Sequence, residues 1–335
     1  MSNEIDFAQP TNKLDEVLFD VKLRNIYSDF PSTENSTSKK ILALNHKAVV
    51  NQSNGGILSV VGNNYKLITN REALEMGKSL FAHLYPDENP QEFIPYKVVA
   101  PMSKASVHID LIHKDVNFDV WDQETWLPFL RTTNSYNRTY ALSFEIGFVR
   151  KLCSNGVLFN KKTMKLKYVH DRKNKFEWMN DLAMIKSTTE IFKGQSQKLR
   201  DFKIEKILMV PLVFQVLNIN LDLPENNSLT KKLNNLENLI QMIGKFTEGY
   251  FNLTGANAYS ALNVMTDLVS HQNDYKNLMG YYFNVRSFYT KPSDWMLDFS
   301  QKIDQKPVNM AEYLKNTIIK LEDIKEKTDL DWMLN

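Results

Sequence analysis

The sequence predicts an α+β protein: a mainly antiparallel sheet with a basic β-hairpin, followed by a helical C-terminal half. Three observations lead there. Between residues 41 and 69, short β-rich runs are separated by the turn clusters Asn54-Gly55-Gly56 and Gly62-Asn63-Asn64, the pattern of a meander. In residues 140–149 the even positions Tyr140, Leu142, Phe144, Ile146 and Phe148 are all apolar, while the odd ones begin Ala141, Ser143 and Glu145. A period of two with one partly polar face marks a strand whose second face can meet solvent or a ligand. After Phe176 the apolar spacing becomes helical.

Element by element, residues 1–40 read as an N-terminal arm and linker, because Leu14, Val17, Leu18, Val21 and Leu23 give way to the polar tract PSTENSTSKK. Residues 41–176 form a β-rich domain with a basic ribbon. It opens with three strands, the third being YKLIT, and a helix capped by Asn70 with an apolar stripe of Ala73, Leu74, Met76, Leu80 and Phe81. Further extended segments fall at 96–100, 106–113 and 116–121. Beyond the strand at 140–149, Ser154-Asn155-Gly156 turns the chain into short strands at 157–159 and 164–170, read as a hairpin or ribbon projecting from the sheet. Residues 177–335 are a helical region, with helices near 177–198, 205–217, 229–246, 256–270 and 310–325 and a short one around Trp295, Met296 and Phe299. Pro224, Asn226 and Asn227 mark a loop between them.

Charge singles out residues 150–175. They hold nine basic residues against one acid, a net +8 on a chain of net +2, so the remainder carries −6. A basic segment on an acidic body is the pattern of a polyanion site, although a solvated Lys-rich hairpin has the same composition. A ribbon of lysine and arginine neutralises phosphates while aromatic rings stack on bases. The residues expected to bind nucleic acid are therefore Arg138, Arg150, Lys161, Lys162, Lys165, Lys167, Arg172, Lys173 and Lys175, with Tyr136 and Tyr168 as stacking rings. Tyr140 falls on the apolar face and reads as core.

Enzyme signatures are missing: the sequence has no phosphate-binding G-x-x-x-x-G-K-[ST] loop, no G-x-G-x-x-G and no G-x-S-x-G elbow. No catalytic residue, metal or cofactor is expected. Asp110, Asp115, Asp119, Asp122 and Glu145 follow no nuclease motif. Asn263, Asp267 and His271 share one helical face, an incomplete metal set that reads as structural. Cys153 stands alone, which excludes a disulfide framework. The first residues lack a signal-peptide pattern and the longest apolar run, residues 207–214, is too short to span a membrane. A soluble protein of the cytoplasm is expected, with no membrane partner.

Three segments carry a resemblance. They are Tyr65-Lys66-Leu67-Ile68-Thr69-Asn70-Arg71-Glu72-Ala73-Leu74, then Thr133-Asn134-Ser135-Tyr136-Asn137-Arg138 leading to Val149-Arg150-Lys151-Leu152-Cys153-Ser154-Asn155-Gly156, and finally the stretch from Gly255 to His271. In this order they resemble the phage/plasmid-like protein family, the domain of unknown function 932. The resemblance implies a mobile-element context in a bacterial host and no defined activity. Combined with the charge pattern, it points to non-catalytic binding of nucleic acid, single-stranded DNA first, in phage or plasmid recombination or replication, by a homo-oligomer. The alternative is a protein-interaction or counter-defence factor without DNA chemistry, and a hydrolase using Asp267 and His271 is a third reading.

Overall fold

The computed structural model describes residues 14–30, 39–121, 124–151, 156–159, 165–171, 182–225, 228–270 and 290–334. Antiparallel sheets occupy the N-terminal half and helices the C-terminal half, as expected of an α+β chain. After a single helical turn, α1 (Leu14–Val17), the strands β1 (Val21–Phe30), β2 (Lys39–Asn51) and β3 (Ile57–Gly62) form a small sheet in that order. The stretch read as an arm thus supplies a strand. Val21 is buried with Val49 and Val61 against Tyr65 and Tyr136, and Leu23 packs on the same cluster, so burial of an alternating apolar pair drives the pairing. YKLIT, expected as the third strand, makes only an isolated bridge between Tyr65 and Asp171.

Helix α2 (Asn70–Leu84) is capped by Thr69, one residue before the expected cap. The Thr69 hydroxyl accepts the Glu72 amide, and the Glu72 carboxylate accepts the Thr69 amide at 2.7 Å, a reciprocal capping box. Asn70 is instead the first helical residue; its buried carboxamide donates to the Val17 carbonyl and accepts from Asn134.

The larger sheet contains β4 (Ile94–Val99), β5 (Ser106–Ile112), β6 (Phe118–Asp119), β7 (Thr125–Ser135), β8 (Leu142–Arg150), β9 (Gly156–Leu158) and β10 (Lys165–Tyr168). Its order is β10-β8-β7-β5-β4, with β6 paired to β7 and β9 to β8, all antiparallel. The central β7 has no clear signature in the sequence because Pro128 lies in its middle, where a ladder amide would be missing. The structure accommodates it: the β5 register ends at Phe129 and the β6 register at Trp126, and Pro128 falls between them. Both β9 and β10 pair with β8, so the described parts of the basic segment lie along the sheet edge.

Every residue of β8 is buried, including the face expected to meet solvent. One face of the sheet is apolar, with Ile109, Leu111, Leu130, Trp126, Phe144, Ile146 and Phe148, and the helices pack there. Gly77 lets α2 close on this face, since a Cβ would stand 2.3 Å from Thr132 Oγ1. Phe192 of α3 (Leu182–Asp201) meets Trp126 and Phe148, and Tyr259, from a later helix, meets Trp126. The helical layer continues as α4 (Met209–Leu217), α5 (Leu229–Thr254), α6 (Ala258–Ser270), α7 (Lys291–Gln305), α8 (Met310–Tyr313) and α9 (Lys315–Thr328). No helix among the described residues is long and apolar enough to cross a membrane.

Candidate nucleic-acid interface

The second face of the large sheet is polar toward the Ser135 end of β7, whereas Ile112, Leu127, Phe129 and Val149 make the rest of that face apolar and buried. Reading across the strands, Lys97, Asp110, Arg131, Glu145 and Lys165 are register partners, a row of alternating charge through β4, β5, β7, β8 and β10. Within it Arg131 grips Asp110 with two bonds of 2.6 and 2.7 Å, both side chains buried. The neighbouring row, His108, Thr133, Ser143 and Lys167, carries no anion. The Thr133 hydroxyl bonds His108 Nδ1 at 2.8 Å, and the His108 ring meets Tyr140 at 5.3 Å. At its outer end, Lys167 is exposed.

There the polar face opens into a cleft of about 470 Å³, lined by Gly62 to Tyr65 near the small sheet, by the 138–141 turn after β7 and by the end of β10. Arg138 and Lys167 contribute two cations against one acid, Asp171; Tyr65, Tyr140 and His170 contribute rings. The turn is held from both sides. Ser135 Oγ donates to the Tyr140 carbonyl and accepts its amide, and Asn137 Oδ1 accepts the Thr139 amide and hydroxyl. Arg138 is thereby kept at φ 63°, a left-handed conformation that costs a non-glycine residue roughly 1–2 kcal/mol. Backbone strain held in place by surrounding bonds is concentrated at functional positions in proteins. Neither Arg138 nor Lys167 is tied up in an ion pair among the described residues.

The floor is rigid. The Tyr65 and His170 rings stack at 5.2 Å with an interplanar angle of 13°. Tyr65 donates its hydroxyl to the Ser135 carbonyl, and burial pushes its pKa up to about 12 against the opposing field of Arg138. Burial also lowers the His170 pKa, and its Nδ1 donates to the Lys66 carbonyl at 3.1 Å. Two of the segments singled out in the sequence meet here, because Tyr65–Glu72 and Thr133–Arg138 are laced together through Asn134, Asn70 and Tyr136.

Several expected contacts lie elsewhere. Tyr136 is buried, its ring 5.9 Å from Phe19 and its hydroxyl accepting the Asn70 amide, so it supports the cleft from behind and offers no face for a base. Arg150 is also buried: it chelates Glu124 through two bonds of 2.6 Å, while Tyr259 and Trp126 donate to the same carboxylate. Tyr168 points to the apolar face with Leu166, edge-on to Phe144. Alternation explains it, since Leu166 and Tyr168 share one face of the strand and Lys167 takes the other. Lys165 belongs to β10, but its side chain, together with Lys161, Lys162, Arg172, Lys173 and Lys175, lies outside the described residues. So do Cys153, Asp122 and His271.

Among the described residues, two of the acids singled out in the sequence are engaged elsewhere. Asp110 is taken by Arg131, and Asp119 accepts the Thr125 hydroxyl. Asn263 and Asp267 are structural: Asn263 donates to the Tyr259 carbonyl and Asp267 accepts the Tyr250 hydroxyl. Tyr140, read as core in the sequence, is a half-buried wall of the cleft. It lies two residues before β8 begins, in the turn that follows β7.

These features define an α+β protein with a basic cleft at the junction of two antiparallel sheets. The chain belongs to the family of a domain of unknown function (DUF932), whose model matches residues 57–294. That span runs from β3 into α7 and includes every residue lining the cleft. Comparison with curated proteins and with solved structures gave no match.

Proposed function

We propose that the protein binds single-stranded nucleic acid, DNA foremost, without catalysing a reaction on it, and that the cleft is where the strand is gripped. The observation that carries this reading is the convergence of Arg138 and Lys167, distant in sequence, on one cleft walled by Tyr140 and floored by stacked rings. Two cations neutralise adjacent phosphates, and a half-buried tyrosine offers a ring to a base that a duplex would keep hidden. The remaining cations of the segment, Lys161, Lys162, Lys165, Arg172, Lys173 and Lys175, extend the grip along the backbone in this proposal. The family resemblance supports a setting in phage or plasmid recombination or replication inside a bacterial cell. A repeating homo-oligomer suits a ligand longer than one subunit.

A second reading, a protein-interaction factor, is favoured by the small sheet. It exposes Leu44 at 75% and Ile57 at 67%, with Tyr27 and Val60 also open, an apolar set of the kind found at contacts between proteins. Anisotropy of labelled single- and double-stranded oligonucleotides over a salt series separates the two. Tighter single-strand binding that weakens steeply with salt supports the nucleic-acid reading; no binding to either at low salt supports the interaction reading.

A further inference from the structure

We infer that the loop end of the large sheet opposite the cleft is a divalent-cation site, built from His113, Glu92 and Asp115 with Glu88 beside them. The elements that bring them together are the α2–β4 connection, which carries Glu88 and Glu92, and the chain just after β5, which carries His113 and Asp115. One donor atom from each of Glu92, His113 and Asp115 lies within 4.8 Å of the others.

An acidic cluster alone would be unremarkable on a protein surface. The buried imidazole gives it direction. His113 has a side chain only 1% exposed, wedged against Phe93 at 4.9 Å, and its Nε2 has no hydrogen-bond partner. A buried ring nitrogen left without a partner is costly, and it implies a group that satisfies it. Nε2 stands 3.6 Å from Glu92 Oε2 and 3.7 Å from Glu88 Oε2. Those separations are too long for hydrogen bonds. They match the edges of a coordination shell, because ligands about 2.0–2.2 Å from a tetrahedral ion stand roughly 3.4 Å apart. Glu92 and Asp115 are exposed, so an ion has an open path in.

One imidazole with carboxylates selects a borderline divalent transition ion such as Zn²⁺ over Mg²⁺ or Ca²⁺, which prefer oxygen alone. Coordination through Nε2 requires the ring proton on Nδ1. Nδ1 now accepts the Asp115 amide at 3.2 Å, so loading turns that amide toward solvent, which its exposed position permits. The site lies at the far end of β5 from Ser106, about 20 Å along the strand at 3.3 Å per residue. The ion therefore staples two loops and takes no part in strand binding at the cleft.

The test uses the full-length protein stripped with a chelator and titrated with ZnCl₂ by calorimetry, with Co²⁺ absorption to report the ligand geometry. Saturable binding of one ion per chain is expected, with a rise in melting temperature on loading. Glu92→Gln and Asp115→Asn change only exposed side chains and should leave the circular dichroism spectrum intact, yet together weaken Zn²⁺ binding by about tenfold or more. His113→Gln should abolish it. The inference is overturned if no saturable binding is seen, or if the Glu92→Gln/Asp115→Asn variant binds as tightly as the parent.

Discussion

Replacing Arg150 by Met probes whether this cation belongs to the core or to the ligand surface. Its guanidinium and the Glu124 carboxylate are 3% and 4% exposed and share two bonds of 2.6 Å. Removing the cation leaves the Glu124 carboxyl in the interior with two neutral donors, Tyr259 at 2.6 Å and Trp126 at 3.1 Å. Breaking one partner of a buried pair costs about 3–5 kcal/mol. With an unfolding entropy of about 2.1 cal/mol/K per residue, 335 residues give about 0.7 kcal/mol/K, so the melting temperature should fall by about 4–7 °C. Replacing both partners, Arg150→Met with Glu124→Leu, removes the stranded carboxyl; Trp126 keeps the Tyr259 hydroxyl as acceptor at 2.9 Å. The double variant should therefore lose less than the sum of the two singles. Calorimetric melts of the three variants measure this, and oligonucleotide affinity at a temperature where all are folded should be unchanged. A melting temperature within 1 °C of the parent for Arg150→Met, or strict additivity, would refute the buried-pair assignment.

Three further outcomes follow from the same geometry. Tyr136→Phe leaves the buried Asn70 amide without its acceptor and should cost about 1–3 kcal/mol in urea unfolding while sparing single-strand affinity; lost affinity in the folded variant would return Tyr136 to the interface. In Gly147→Ala the new Cβ would lie 2.3 Å from the Phe129 ring and 2.6 Å from the Val157 carbonyl, an overpacking of about 1–3 kcal/mol, and an unchanged urea midpoint would contradict that contact. His170 has a folded pKa below its ordinary 6.5, so between the two values the unfolded chain binds the extra proton. Its contribution is present above pH 6.5 and lost as pH falls below it; the melting temperature should drop on acidification, and His170→Gln should flatten that part of the curve. An identical pH profile in the variant would show that His170 does not titrate differently in the fold.

The helical half was readable because its helices keep apolar residues at a period of 3.6, as in α5, where Leu236, Leu239, Ile240, Ile243 and Tyr250 are buried. β1 was not, since only Val21 and Leu23 alternate with polar neighbours before the pattern lapses. β7 was hidden by Pro128, whose tolerance depends on where the β5 and β6 registers stop. For the cleft, the sequence indicated cations in the right segments but could not sort them. Arg150 sits among cations along the chain, and only β7–β8 pairing brings Glu124 within reach. Lys167 and Tyr168 were separable by alternation alone. The approach of Arg138 to Lys167 is set by tertiary structure, through Tyr65 and the bridge to Asp171.

The salt dependence of single-strand binding in Arg138→Gln/Lys167→Gln tests the cleft most directly. Each phosphate contact contributes about 0.7 to the slope of log affinity against log salt for a single strand. Both side chains are exposed, so the fold should persist. Loss of two contacts should flatten the slope by about 1.4 and weaken binding most at low salt. An affinity and slope equal to those of the parent, in a protein with an unchanged melting temperature, would remove the cleft from nucleic-acid binding.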